Sequence, residues 1–334
     1  MPSIVHFKSI DLIGGPPSRA RTGLLLRVAL LWLLPAGLAA AAPADGPPHA
    51  LTRADARVIE DDEGHRFELA GPARRIVSLS PGATAMLFAA GAGTQVVGTS
   101  EFSDEPAAAS GVPRVGDSHG VDVERLLALH PDVVVVWSGG TAPSQIERLT
   151  LLGLRVYRHR LARLDEFPAS LVRLGTLAGT EAQAQRAAAD FAARLTALQA
   201  RYYRSGRAET AGGPGAGTRT ILLQLWDQPL YTVGGTELLS DVVATCGYRN
   251  LYADLPDPGP AVAVESVLAR NPDVILALAG DPQSAASWAR RWQAFAVLAA
   301  VRAGHVLPWS DPRLSRLGPS MLDATEALCR ALPP

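Results

Sequence analysis

VDVERLLALHPDVVVV (121–136) returns later in the chain as VAVESVLARNPDVILA (262–277), displaced by a constant 141 residues. Eight of the sixteen positions are identical, and in sequence of ordinary complexity such a match marks a duplication. Each copy opens V-x-V-E, continues with the apolar spacing of an amphipathic helix, is closed by Pro-Asp and enters an apolar run. The run DVVVVW (132–137) places apolar side chains on both faces, the pattern of a strand buried in a parallel sheet.

Working outward from the first copy, RIVSLS (75–80) is a β-branched run. SPGATAMLFAAG (80–91) then supplies Ser80 as a helix cap, Pro81 at the first helical position and Gly91 as a stop. VVGTS (96–100) reads as a strand, SQIERLTLLG (144–153) as a helix and LRVYRH (154–159) as a strand. Between Leu164 and Arg204 the strand signal vanishes. There Thr180 and Gln183 match a capping box that opens a helix to about Tyr203, roughly 36 Å long. SGRAETAGGPGAG (205–217) reads as a loop of small and polar residues, after which alternation resumes at TRTILLQLW (218–226). The expectation is an α/β protein of two Rossmann-like lobes with parallel sheets, joined by a single long backbone helix, with a ligand cleft between the lobes. The expected organisation is 1–44 signal peptide, 45–72 N-terminal extension, 73–163 first lobe, 164–205 linking helix and 206–334 second lobe.

Hydrophobic residues make up 48% of the 334 and charged residues 19%, enough apolar material for packed cores. A formal net charge of -1 gives no general attraction to nucleic acid or to anionic lipid, so neither is an expected partner. Arg19, Arg21 and Arg27 flank LLLRVALLWLLPAGLAAAA (24–42), a basic and then apolar segment ending in small residues. This predicts a secretory signal peptide cleaved between Ala40 and Asp45, hence export. A membrane anchor is the alternative, but Arg27 and Pro35 interrupt the run. With no cysteine near that point, lipid attachment there is not expected. The two cysteines, Cys246 and Cys329, are an even count in an exported chain, which favours a disulfide over two free thiols. Two alone do not make a tetrahedral zinc site.

In sheets of this kind ligands bind beyond the carboxyl ends of the strands. The candidate cleft residues are therefore Ser80, Pro81 and Gly82 in SPGAT (80–84), and Phe102 in SEFSDEP (100–106). Ser118 and His119 follow in GDSHG (116–120), then Trp137 and Ser138 in WSGGT (137–141). The second half offers Trp226, Gln228 and Pro229 in LWDQPLY (225–231). It also offers Asp311, Pro312, Arg313, Leu314, Ser315 and Arg316 in WSDPRLSR (309–316). Flat aromatic walls with a few polar anchors suit a large, rigid, partly apolar ligand. Trp288 and Trp292 lie in a helical stretch and are expected to pack. Glu124 and Glu265 are equivalent in the repeat, each in the first turn of its helix. Either they serve the helix dipole, or they are a matched pair of surface charges that grips a two-fold partner.

Two other classes compete. Gly116-Asp117-Ser118 resembles the nucleophile motif of GDS-type serine hydrolases, but the matching D-x-x-H is missing: the residue three before His305, the last histidine, is Arg302. Without a base and its orienting carboxylate a serine stays unactivated, so no catalytic residue and no enzymatic activity are expected. Metal capture is the other class. His49, His65, His119, His130, His159 and His305 are isolated, and only His119 falls in a predicted cleft loop, so no metal site is expected.

From Arg75 to Leu332 the chain resembles the periplasmic cobalamin-binding proteins of ABC vitamin importers. The resemblance is carried by RIVSLSPGATAMLFAAG, the S-D-x-P at Ser103 to Pro106, V-E-R-L-x-A-L-x-P-D-V and the W-x-G-G at Trp137. Leu223-Gln224, Gly247 beside Cys246 and the L-C-x-A-L at Leu328 to Leu332 complete it. It implies a Cys246–Cys329 disulfide. It implies that Glu124 and Glu265 are lobe-tip carboxylates that meet arginines on a membrane permease. It also sets Phe102 against a corrin ring, with Trp137 and the 311–316 loop in the same cleft. On this reading a monomer carries cobalamin as transported ligand and holds no cofactor. The sequence departs from the pattern where Ser118 and His119 replace a Trp before the first helix of the repeat. Gly259 replaces another, and Trp226 and Tyr231 are placed to compensate. The alternative cargo is haem, which needs an axial Tyr231 or His119, or a ferric siderophore, which calls for more cleft arginines.

Overall fold

A computed structural model describes residues 56–117, 120–202 and 219–333. The expected signal peptide, the first part of the extension, Ser118, His119 and the whole of the 205–217 loop lie outside the described residues. The described chain opens with a hairpin, β1 (Arg57–Glu60) and β2 (Arg66–Leu69). The first half follows as β3 (Ile76–Ser78), α1 (Pro81–Ala89), β4 (Val96–Ser100), β5 (Arg114–Asp117), β6 (Gly120–Val121), α2 (Val123–Ala128), β7 (Val133–Trp137), α3 (Pro143–Leu151) and β8 (Val156–His159). Two helices, α4 (Phe167–Ala178) and α5 (Glu181–Tyr202), lead to the second half. That half is β9 (Thr220–Gln224), α6 (Leu238–Thr245), β10 (Arg249–Asn250), α7 (Val264–Arg270), β11 (Val274–Leu278), α8 (Pro282–Arg291), α9 (Ala299–Arg302), β12 (Val306–Trp309), α10 (Arg313–Arg316) and α11 (Met321–Ala331).

The first half builds a six-stranded sheet in the order β6-β5-β4-β3-β7-β8, parallel except for the β5–β6 ribbon. The second builds a four-stranded, wholly parallel sheet, β10-β9-β11-β12. Strands β7 and β11 occupy the same places in the repeat, and each lies one strand in from the edge of its sheet, beside the first strand of its half. The duplicated P-D-V has a physical role in both. Asp132 accepts the backbone N–H of Arg74 and Arg75 at 2.8 and 2.9 Å, at the entry to β3. Asp273 accepts the N–H of Thr220 at 2.7 Å and its hydroxyl at 3.0 Å, at the entry to β9. Each aspartate thus pins the neighbouring strand in register by satisfying donors that the ladder leaves open. The residue two places before each aspartate, His130 or Asn271, ends the preceding helix with φ of +44°.

Alternate strand residues bury in opposite directions, which explains the apolar runs. Ile76, Val133 and Val135 join Ile221, Leu223, Val274 and Leu276 in one core that also takes Phe167, Leu174, Phe191 and Leu195 from α4 and α5. Val77, Val134 and Val136 bury on the other face with Leu126 and Ile146. Leu222 and Ile275 do the same in the second half with Tyr252, Val267 and Trp292. The helical link is therefore packed into both halves rather than strung between them, and the rings of Phe167 and Phe191 stack at 4.8 Å. It is two helices, broken at Gly179, whose φ of +71° a residue with a side chain adopts only at a cost. Thr180 does not close the expected capping box with its hydroxyl, which donates to the Ala90 carbonyl at 2.7 Å. No helix among the described residues is long and apolar enough to cross a membrane.

Part of the predicted extension is the β1–β2 hairpin, stapled to the first half by a buried carboxylate. Asp62 accepts from Tyr157 Oη at 2.9 Å and Ser170 Oγ at 2.9 Å, lies 2.7 Å from His159 Nδ1 and pairs with Arg173 at 3.2 Å. Burial alone would raise the Asp62 pKa, but the hydrogen bond and charge of His159, with the two hydroxyls, hold it below the ordinary carboxylate range. The Tyr157 phenol is pushed well up by burial and by that same carboxylate. In the second half Cys246 and Cys329 form the expected disulfide, joining the end of α6 to α11.

Candidate ligand cleft

The loops beyond the carboxyl ends of the two sheets face each other, and they touch. Ser80 caps α1, its hydroxyl accepting from Ala83 N at 3.4 Å, and Pro81 occupies the first turn. Gly82 lies directly under the second half: a Cβ there would stand 2.1 Å from the Arg316 carbonyl. Only glycine allows this approach. Beside it Arg316 pairs with Asp104 at 2.9 Å, and Ser320 Oγ donates to Glu105 Oε2 at 2.9 Å. The first-half loops after β3 and β4 are thus joined to the second-half loop after β12. Neither carboxylate partner is announced by local sequence, because an ion pair across 212 residues leaves no local pattern.

Within the 311–316 loop, Asp311 and Arg313 neutralise each other through paired bonds of 2.9 and 2.7 Å, and the Arg313 N–H adds a third at 3.0 Å. These bonds hold Asp311 below the ordinary carboxylate range, although burial pulls the other way. Pro312 starts α10 and Ser315 Oγ donates to the Pro312 carbonyl at 2.9 Å. Leu314 is buried in the main core and presents no side chain to a cleft, a correction to its place among the candidate residues. Its apolar side chain on a one-turn helix is worth more in the core than in solvent.

Three of the candidate aromatic side chains stand at strand ends. Phe102 follows β4, is 64% exposed and adopts φ of +62°, a costly conformation for a bulky residue. Its neighbour Ser103 is fully buried, 3.3 Å from both Thr84 Oγ1 and Ser100 Oγ, so the turn is held in place. Trp137 ends β7, half-buried, with its indole lying over Gly139 and Gly140, where a Cβ would stand 2.7 and 2.1 Å from the ring. Ser138 Oγ donates to Glu63 Oε1 of the hairpin turn at 2.7 Å, a partner that only the hairpin brings within reach. Trp226 follows β9, 40% exposed, while Gln228 and Pro229 are exposed in the same loop. Trp292 is buried, as expected of a packing residue, and donates from Nε1 to Gln224 Oε1 at 2.8 Å. Trp288 is half-buried and meets Trp226 edge to face at 5.8 Å.

Glu124 and Glu265 are both exposed in the first turns of α2 and α7, the repeat-related helices. Asp122 caps α2 by accepting from Arg125 N at 3.0 Å, so that helix does not need Glu124 as a cap, whereas the N-cap of α7 is Ala263 and no side chain caps that helix.

The profile of the family described as periplasmic binding protein matches residues 76–312, and the chain belongs to that family. Membership of a family of binding proteins bears out the non-enzymatic expectation. Among its relatives, the vitamin B12-binding protein of Pectobacterium carotovorum subsp. carotovorum is 33% identical over 259 residues, 78% of this chain and 88% of that protein. That of Vibrio parahaemolyticus is 30% identical over 258 residues, 77% and 89% of the two chains. The crystal structure of the periplasmic vitamin B12 binding protein of Vibrio cholerae superposes with a TM-score of 0.67 at 32% identity, covering 78% of this chain and 96% of that one. A periplasmic haem binding protein from Pseudomonas aeruginosa shares the fold, with a TM-score of 0.64 at 24% identity and coverage of 78% and 92%.

Proposed function

We propose that this chain is the exported binding protein of an ABC importer, which holds cobalamin or a related corrinoid between its halves and delivers it to a membrane permease. The observation that carries the reading is the set of relatives named for vitamin B12 binding, at 30 to 33% identity over more than three-quarters of the chain. Phe102, Trp137 and Trp226 supply flat apolar surface from both halves. Ser118, His119, Ser138, Gln228 and the exposed groups of the 311–316 loop supply the polar rim, beside Ser80, Pro81 and Pro229. Glu124 and Glu265 are the docking charges, one per half, equivalent by the repeat and exposed. The protein acts as a monomer, after cleavage of its signal peptide between Ala40 and Asp45.

Calorimetric titration of the purified mature protein with cyanocobalamin, haemin and a ferric siderophore tests the cargo. Saturable one-to-one binding of cyanocobalamin alone is the expected result. A Soret shift with haemin and no heat with cyanocobalamin would replace the corrinoid reading with the haem one. Reversing both docking charges, Glu124→Arg with Glu265→Arg, should abolish transporter-dependent uptake while leaving ligand affinity unchanged.

A further inference from the structure

The two halves treat the first strand-to-helix connection differently. In the first half two residues separate β3 from α1; in the second, thirteen separate β9 from α6. A long connection without secondary structure in a compact α/β unit asks for a function. This one is also rigid. Asn250 Nδ2 donates to the Val233 carbonyl at 2.8 Å, and Thr232, Gly234 and Gly235 donate their N–H groups to Pro260, Pro258 and Leu255. Gly234 and Gly235 press so closely on the 253–257 backbone that a Cβ at either would stand within about 2 Å of a carbonyl oxygen. At its start the loop turns back on itself, with Leu225 N to the Tyr231 carbonyl at 2.8 Å.

On this rigid loop Trp226 is left 40% exposed on the cleft side of the sheet. Its ring is supported by the edge of Trp288 from α8, at 5.8 Å and 66°. The same helix holds the loop a second time, through Arg291 and Asp227. An exposed indole with its backbone and its ring both fixed offers a flat surface that loses little entropy on binding.

We infer that Trp226 and Trp288 form a fixed aromatic step on the second half, in which Trp226 contacts the face of a planar macrocyclic ligand and Trp288 is the positioning residue that sets the angle of its ring. This deepens the corrinoid reading and rests on it. The sequence had assigned Trp288 to packing alone, since a helical tryptophan carries no sign of what its ring supports.

The test is a double-mutant cycle in the full mature protein, titrated calorimetrically with cyanocobalamin. Trp226→Ala should weaken binding about tenfold and Trp288→Ala about threefold. Trp288→Phe, which keeps an aromatic edge under the indole, should restore affinity to within about twofold of the parent. The decisive readout is coupling: once Trp226 is alanine, Trp288→Ala should cost nothing further. Trp226→Phe serves if an alanine variant does not fold, and it should bind more weakly than the parent by less than Trp226→Ala. Unchanged affinity on replacing Trp226 overturns the inference and leaves the corrinoid reading standing. An equal loss from Trp288→Ala in both backgrounds overturns the positioning role. If the parent binds haemin and not cyanocobalamin, the corrinoid reading falls, and the same cycle run with haemin decides the aromatic step. A parent that binds no planar macrocycle overturns both.

Discussion

The end of β8 in the first half and the end of α6 in the second are each tied to a distant element, but by opposite chemistry. In the first half a buried carboxylate, Asp62, gathers His159, Tyr157, Ser170 and Arg173 and thereby fastens the N-terminal hairpin. In the second half a covalent bond, Cys246–Cys329, fastens α11 across 83 residues of chain. The first tie acts in the folded state and depends on proton concentration. The second acts mainly by restricting the unfolded chain and depends on redox conditions. A protein with a duplicated fold has therefore secured its halves against different stresses.

Replacing both cysteines with alanine is the strongest way to break the comparison. Closing a loop of this length removes enough unfolded-state entropy to predict a loss of about 4 kcal/mol in urea denaturation. The loss should be independent of pH between 5 and 8, a range taken as roughly the zone of maximal stability. A pH-dependent loss would show that the two ties are coupled.

Asp62→Ala comes next. It leaves buried partners without their acceptor, and a loss of about 3 kcal/mol is expected by the same measurement. The pH dependence has a defined sign. Asp62 is held below its unfolded value, so its contribution is complete above about pH 4 and is lost as pH falls through the folded value. Acid titration of stability in the parent and in Asp62→Asn should give curves that run parallel and offset above that point and converge below it, as the parent loses what the variant never had. An offset that stays constant at all pH would remove Asp62 as the acid-sensitive tie.

The smallest effect tests what the halves have in common. Asp132→Ala and Asp273→Ala each free two donors at the entry of a strand and should each cost about 1–2 kcal/mol. The two costs should match and should add, because the sites lie in different sheets. A large difference between them would mean that the repeat preserves the residue but not its work.

Much of the fold was legible. The repeat predicted two related α/β halves, and both copies carry the same helix, stop and central strand because each local device is written in adjacent residues. The runs at Val133 to Val136 and Val274 to Ala277 were legible as buried strands for the same reason. The β1–β2 hairpin was passed over as a polar extension. RFEL alternates polar and apolar residues after a D-x-x-G turn, but RVIE does not, and four-residue strands give a weak periodic signal. Of the candidate cleft residues, position after a strand pointed to Phe102, Trp137 and Trp226, and all three stand at strand ends. It also selected Leu314, which turned inward, because loop membership says nothing of which side chains face a core.

The sequence alone determined the duplicated parallel-sheet halves, the capping of α1 by Ser80, the central strands and the cysteine pair. These rest on periodicity, capping chemistry and residue count, which act over a few neighbouring positions. Tertiary structure decided that Gly82 lies under the Arg316 carbonyl, that Asp104 and Arg316 pair across the halves, that Asp62 is buried and that Trp288 supports Trp226. Each is a meeting of side chains far apart in the chain. Whether two such groups meet is set by how the sheets and helices pack, a global property that no short stretch of residues encodes.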